Sequence, residues 1–275
     1  MKITTLLENT SCGEPFRSAH GLSLWLETPR HKLLFDMGPN GAFADNAAAL
    51  GIDLASADLA VVSHGHYDHG GGLRTFLERN SRAPVCIHEG AFDIHCADEN
   101  GTVREIGLDP SLREFRNRFA VTRGVVRIDG ELTLFDGVPD EFGGLSASGK
   151  LKERLPDGTL RPDDFHHEQD LLVTAEGKAV VIAGCAHRGI VNIRAKAEAL
   201  LGREADAVVG GFHLFELPPD DPGSDALIDR TGRALLAGNT VYYTGHCTGE
   251  YAWERLKRIL GDRLRRISGG ETFEL

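Results

Sequence analysis

Leu59-Ala60-Val61-Val62-Ser63-His64-Gly65-His66-Tyr67-Asp68-His69-Gly70-Gly71-Gly72 is the stretch on which the fold and the chemistry both turn. Leu59–Ser63 reads as a short buried strand. It runs directly into three imidazoles and a carboxylate. Neutral imidazole and carboxylate are good ligands for Zn²⁺ and similar divalent ions. Gly65 lets the backbone turn tightly, so that several side chains can converge on one point. The glycine run then brings the chain past the site before a helix, Gly72–Arg79. An incidental histidine-rich surface loop would not pack four ligand-type residues at a strand end. The expectation is a metal centre at His64, His66, Asp68 and His69.

Upstream, Lys2–Leu7, Leu22–Glu27 and Lys32–Asp36 read as strands, and Ala-rich Ala42–Leu50 as a helix. Downstream, a strand at Val85–His88 is followed by a change of character. From about 89 to 165 the chain is rich in charge, Gly and Pro, with weak strands at Val125–Ile128 and Leu132–Phe135 and a turn at Leu155–Thr159. This segment is expected to be an insertion or cap over the site within a single domain spanning 1–275. Regular alternation then resumes. Leu171–Ala175 and Lys178–Ala183 form a hairpin around Glu176-Gly177, and Ile190–Leu201 is a helix closed by Gly202. Ala207–Gly210 and Thr240–Thr244 read as strands, Asp225–Ala237 and Glu250–Leu260 as helices. The fold class is α/β, a mixed sheet system flanked by helices.

The 275 residues suffice to bury a sizeable core. A net charge of −11 argues against nucleic acid or an anionic membrane as partner, since both call for clustered Lys and Arg. The apolar start of the chain is too short for a signal peptide, and no later run is long enough to span a bilayer. Five cysteines with no Cys-x-x-Cys spacing argue against a disulfide framework and suggest a reducing, cytoplasmic setting. Oligomeric state is not readable.

The His-x-His-x-Asp-His pattern after an apolar strand, with Leu33-Leu34-Phe35-Asp36-Met37-Gly38 upstream, resembles the signature of the metallo-β-lactamase superfamily. More narrowly, Glu8-Asn9-Thr10, His20–Ser23, Ser63–Gly71, Gly184–Asn192, Gly210–Leu214 and Thr244–Gly249 are similar, in order, to segments of a family of dihydropterin-methyl-(ribofuranosyl)aminobenzene-phosphate synthases and related metal-dependent hydrolases. The resemblance implies an αββα sandwich of two packed mixed sheets. It also implies one or two divalent ions, Zn²⁺ first, with Mn or Fe as alternatives.

His187 and His246, each just after a strand, join the metal site on this resemblance. His64, His66 and His187 would then form one site, and Asp68, His69 and His246 the other. If one metal is bound, Asp68 becomes free to act as general base. His213 is a ligand, a general acid or substrate contact, or a structural histidine. The superfamily's bridging Asp has no counterpart, because the comparable stretch reads Gly184-Cys185-Ala186-His187. His187 would replace it; Glu168 and Asp170 are read first as surface groups or supports behind the ligands, and second as compensating acids. Asp36 either orients an imidazole from behind or caps a turn. Asn9 and His20 are expected at the pocket wall. His31, His88, His95, His166 and His167 are background, and Cys185 and Cys247 small buried thiols without reactivity.

The implied activity is that of a hydrolase activating water against a small, phosphorylated or pterin-like substrate. A synthase-like transferase releasing diphosphate is the alternative, and a non-catalytic metal-binding scaffold the alternative of another class. Diiron oxygen-reducing members of the superfamily carry Glu where this chain has His66. Nuclease members are disfavoured by the acidic balance.

Overall fold

The computed structural model describes residues 1–142 and 148–275. Its strands are β1 (Lys2–Leu7), β2 (Ser23–Glu27), β3 (Lys32–Phe35), β4 (Leu59–Val62), β5 (Val85–His88), β6 (Ile94–Glu99), β7 (Thr102–Glu105), β8 (Phe119–Thr122), β9 (Val126–Arg127), β10 (Leu132–Phe135), β11 (Leu151–Arg154), β12 (Leu160–Pro162), β13 (Asp170–Ala175), β14 (Lys178–Ile182), β15 (Ala207–Val209), β16 (Val241–Thr244), β17 (Leu264–Arg266) and β18 (Thr272–Glu274). The α-helices are α1 (Ala42–Ala49), α2 (Tyr67–Gly70), α3 (Leu73–Arg79), α4 (Ile190–Leu201), α5 (Pro222–Leu236) and α6 (Glu250–Leu260).

Two seven-stranded mixed sheets form the body. One runs β18-β1-β2-β3-β4-β5-β8 and the other β17-β16-β15-β14-β13-β10-β9. Strand alternation decides which face each side chain serves. Leu33 and Phe35 of β3 and Leu59 and Val61 of β4 meet Val180 and Ile182 of β14 and Leu171 and Val173 of β13 in a core between the sheets. Their neighbours Leu34, Ala60 and Val62 face the other way, onto Phe43 and Phe76 of α1 and α3. Ala179 and Val181 likewise face Ile193, Ile228 and Leu256 of α4, α5 and α6. The order of layers is therefore helix, sheet, sheet, helix.

Strands β3, β4 and β5 pair in parallel, as do β14, β15 and β16. Parallel neighbours point their C-terminal ends the same way, and the loops leaving those ends carry the ligand-type residues, the usual place for a site in such a fold.

The stretch 89–165 is divided among three sheets; its residues 143–147 lie outside those described. Strand β8 extends the first large sheet, and β9 and β10 extend the second. Strands β12-β11-β6-β7 form a separate antiparallel sheet. Helix α5 begins three residues before the expected Asp225. Asp221 caps it by accepting the Ser224 N–H, and Pro222 fits the first turn, where no amide donor is required.

Candidate metal centre

Asp36 stands at the end of β3 in the left-handed region, at φ 57°. It is fully buried, and its Oδ1 accepts the Ser63 N–H at 2.7 Å. Its Oδ2 accepts the Ser63 hydroxyl at 2.7 Å and His69 Nδ1–H at 2.6 Å. The Ser63 hydrogen is thereby used, so Ser63 Oγ accepts from His64 Nδ1–H at 2.9 Å. Both imidazoles therefore carry their proton on Nδ1 and turn Nε2 inward. One carboxylate orients two rings, which is the expected role of a group behind a metal ligand.

His246 is held in the same manner from another direction. Its Nδ1–H donates to Asn9 Oδ1 at 2.9 Å, and its backbone N–H to Glu8 Oε1 at 2.5 Å. Glu8 Oε2 in turn accepts from the N–H and hydroxyl of Thr10. His187 sits in a turn fixed by Glu168, whose two oxygens accept the N–H groups of His187 and Arg188 at 2.6 and 2.8 Å. The Phe165 ring stacks on the His187 ring with centroids 4.4 Å apart and planes within 3°.

These orientations bring nitrogen against nitrogen. His69 Nε2 and His246 Nε2 lie 3.1 Å apart, and His64 Nε2 and His187 Nε2 lie 3.3 Å apart. His246 and His64 carry their protons on Nδ1, so in each contact at least one Nε2 presents a lone pair, and a cation between the facing nitrogens would draw on both rings. Asp68 Oδ2 lies 3.7 Å from His69 Nε2 and 3.5 Å from His246 Nε2. His66 closes on the first pair, its ring centroid 4.6 Å from that of His64 and 4.9 Å from that of His187. His66 Nε2 is buried with no hydrogen-bond partner among the described residues. Orphaned, inward-facing imidazole nitrogens on this scale fit a divalent cation.

The electrostatics divide the rings into two classes. Burial, and then the neighbouring imidazoles, push His64, His66 and His187 well below the ordinary histidine value, which keeps their lone pairs available. Burial acts the same way on His69, but the carboxylates of Asp36 and Asp68 outweigh it and lift His69 to about 9. Burial would raise Asp68, yet His69 and His246 hold it well below the usual carboxylate range.

All six proposed ligands thus lie in one place, with Asn9 and His20 beside them. His20 Nε2 is 3.4 Å from Asp68 Oδ2. His213 also belongs here: its ring centroid is 4.2 Å from that of His187, and neither of its nitrogens meets a hydrogen-bond partner among the described residues. Neither acid weighed as a stand-in for a bridging Asp joins a ligand group among the described residues. Glu168 spends both oxygens on backbone amides. Asp170 is fully buried with neither oxygen partnered, and it belongs to none of the ligand groups among the described residues.

Three residues set aside in the sequence, Cys185, His95 and His167, lie at the site, together with Asp163, which the sequence reading did not single out. Cys185 Sγ lies 3.1 Å from His69 Nε2 and 3.4 Å from His246 Nε2. Asp163, His95 and His167 form a buried network with His66, their ligand atoms all within 4.8 Å. His167 Nδ1 accepts the Gly65 N–H at 3.0 Å, and both rings bond Asp163 at 3.3 Å. The network fixes the backbone between His64 and His66. Gly65 itself is required for space rather than for a turn, because a Cβ there would lie 2.4 Å from the Ala91 carbonyl oxygen and 2.6 Å from His95 Nε2. No local sequence signal points to His95 or His167, since each reaches the site from a separate part of the chain.

A cavity of about 240 Å³ opens onto this centre. Asp68, Cys185, His187 and His213 form part of its floor. Arg104 and Leu151, from the four-stranded sheet, form part of its wall.

Comparison with known proteins gives concordant results. The sequence pattern of the Metallo-beta-lactamase superfamily matches residues 19–258. The chain is 28% identical over 293 residues to the 7,8-dihydropterin-6-methyl-4-(beta-D-ribofuranosyl)-aminobenzene-5'-phosphate synthase of Methanocaldococcus jannaschii, covering 100% of this chain and 96% of that protein. The crystal structure of Tm1679, a metal-dependent hydrolase of the beta-lactamase superfamily, superposes with a TM-score of 0.81 at 29% identity, over 100% of this chain and 99% of that one. Zn²⁺-bound PqqB from Methylobacterium extorquens shares the fold at a TM-score of 0.59 and 14% identity, over the whole of both chains.

Proposed function

The chain belongs to the metallo-beta-lactamase superfamily, and from that premise we propose that it is a metal-dependent hydrolase acting on a small phosphorylated or pterin-like molecule. The observation behind this reading is the pair of facing Nε2 contacts, each backed by imidazoles whose orientation is already fixed. His64, His66 and His187 would hold one divalent ion, and Asp68, His69 and His246 a second, with Zn²⁺ the first candidate and Mn or Fe the alternatives. Such ions supply a water of lowered pKa and polarise a substrate oxygen.

The chain's own residues do the remainder. Asp36 and Asn9 keep the His69 and His246 rings from rotating, and Glu8 and Glu168 hold the backbone at His246 and His187. Asp68, which borders the cavity, accepts a proton from the attacking water if its oxygen is free. His213 faces the same cavity and is placed to give a proton to the leaving group. The sheet β12-β11-β6-β7 serves as a cap, and Arg104 gives its wall a cation for an anionic substrate group. Among the described residues no helix is long and apolar enough to cross a membrane; a cytoplasmic location and a small-molecule partner are part of the same proposal.

A second reading is a synthase-like transferase, favoured by the full-length similarity to the archaeal synthase. The two are told apart by products. A panel of phosphoesters, including pterin-linked ones, offered singly to Zn²⁺-loaded protein should release inorganic phosphate. Turnover only with two co-substrates together, with diphosphate as product, would replace the hydrolase reading by the transferase one. A protein purified with all six ligands intact, yet without bound divalent metal and without affinity for it, would overturn both.

A further inference from the structure

We infer that Cys185 is itself a metal ligand, a thiolate shared between the two ligand sets in the place where the sequence lacks a bridging carboxylate. The inference rests on the metal-centre reading above and adds a donor to it.

Geometry is the first support. Ligand atoms of Cys185, Asp68, His69 and His246 lie within 4.8 Å of one another, and so do those of Cys185, His64 and His187. Cys185 is the member the two sets have in common. Its sulfur is 3.1 and 3.4 Å from the two Nε2 atoms that face each other. The three atoms converge on one point, and a cation placed there accepts a lone pair from each at once.

The backbone supplies the second support. Gly184 and Ala186 hold the turn after β14 in a shape that throws Cys185 and His187 toward the centre. A Cβ on Gly184 would lie 2.2 Å from Ser63 Oγ, and Ala186 sits at φ 56°, a costly conformation for alanine. Charge is the third. Asp68 is the only carboxylate in the two sets, Glu168 being spent on backbone amides, so a thiolate supplies a second negative charge for two divalent ions. On binding, the S–H bond breaks, the proton leaves to solvent and the sulfur pair is shared with the metal. A sulfur donor biases the centre toward Zn²⁺, Co²⁺ or Fe²⁺ over Mg²⁺ or Mn²⁺. Cys247 is the natural control, because its S–H is directed at the Cys185 carbonyl oxygen at 3.4 Å.

The test is stepwise loading of the chelated full chain with Co²⁺. Bound metal is counted by elemental analysis, and the sulfur-to-cobalt charge-transfer absorption is read in the near ultraviolet. The wild type and C247S should show that band growing with bound cobalt. C185S should bind cobalt on the order of tenfold or more weakly and show no band. Peptide mass spectrometry of the wild type should also show Cys185 protected from alkylation by bound Zn²⁺, a readout that needs no variant to fold. Cobalt bound to the wild type without a sulfur band, a band surviving in C185S, or one lost in C247S instead, would overturn the role of Cys185 alone. Failure of the wild type to bind either Co²⁺ or Zn²⁺ would bring down the metal-centre reading with it.

Discussion

Replacing Asp36 by Asn changes one atom and one charge at the point where the metal centre is anchored. Asp36 accepts three buried hydrogen bonds of 2.6–2.7 Å. The best placement of the amide turns its oxygen toward His69 and the Ser63 hydroxyl and its NH₂ toward the Ser63 N–H. The first two bonds then fall from charge-assisted to neutral, at about 1 kcal/mol each. The third becomes two buried donors facing each other, at about 1–3 kcal/mol. The chelated D36N protein should therefore be roughly 3–5 kcal/mol less stable in urea unfolding, a large share of the stability of an ordinary domain. The substitution should also leave a signature in pH. His69 is lifted to about 9 in the fold, against about 6.5 when unfolded. Its contribution is fully present below pH 6.5 and is lost as pH rises through about 9. Wild-type stability should decline across that window, and the decline should flatten in D36N. Competition with a chromophoric chelator should show Zn²⁺ affinity reduced by about 10- to 100-fold. A D36N protein that unfolds within about 1 kcal/mol of the wild type, with unaltered Zn²⁺ affinity, would refute the view that this carboxylate orients the ligands.

His66→Ala should lower the metal content of protein purified without added metal, with activity falling in step; full metal and full activity together would defeat the proposed mechanism. His213→Ala should keep its metal, by elemental analysis, and lose about 10²–10⁴-fold in kcat if the residue acts as the acid. Unchanged kcat would remove only that role. Gly184→Ala places a Cβ 2.2 Å from Ser63 Oγ and should cost about 1–3 kcal/mol in thermal or urea unfolding. The same variant should bind Zn²⁺ more weakly, because Ser63 orients His64.

Much of this architecture can be read in the chain itself. The apolar runs at Leu59–Val62 and Ala179–Ile182 are buried on both faces and so announce themselves without alternation. The proposed ligands His64 to His69 stand out by crowding, and His187 and His246 by the family resemblance of segments that follow strands. What was missed obeys other physics. The hairpin of β6 and β7 turns on Asn100 and Gly101, at φ 56° and 89°, a turn signal inside strands too exposed to show a hydrophobic pattern. Asp221-Pro222 reads as a turn but works as a helix start. Cys185, His95, Asp163 and His167 carry no local signature, since their roles arise from contacts up to 116 residues apart in the chain.

The bond between Glu8 and His246 joins positions 238 residues apart, and 177 residues separate His69 from His246. At roughly 5–20 residues per second, the ribosome makes the His64–His69 loop about 10–35 s before it makes the partner that completes it. A cation met in that interval would find Asp68 and His69 of the second set without His246. If the centre binds metal as proposed, its second site would fill only after His246 has been made and has folded back beside Asp68 and His69.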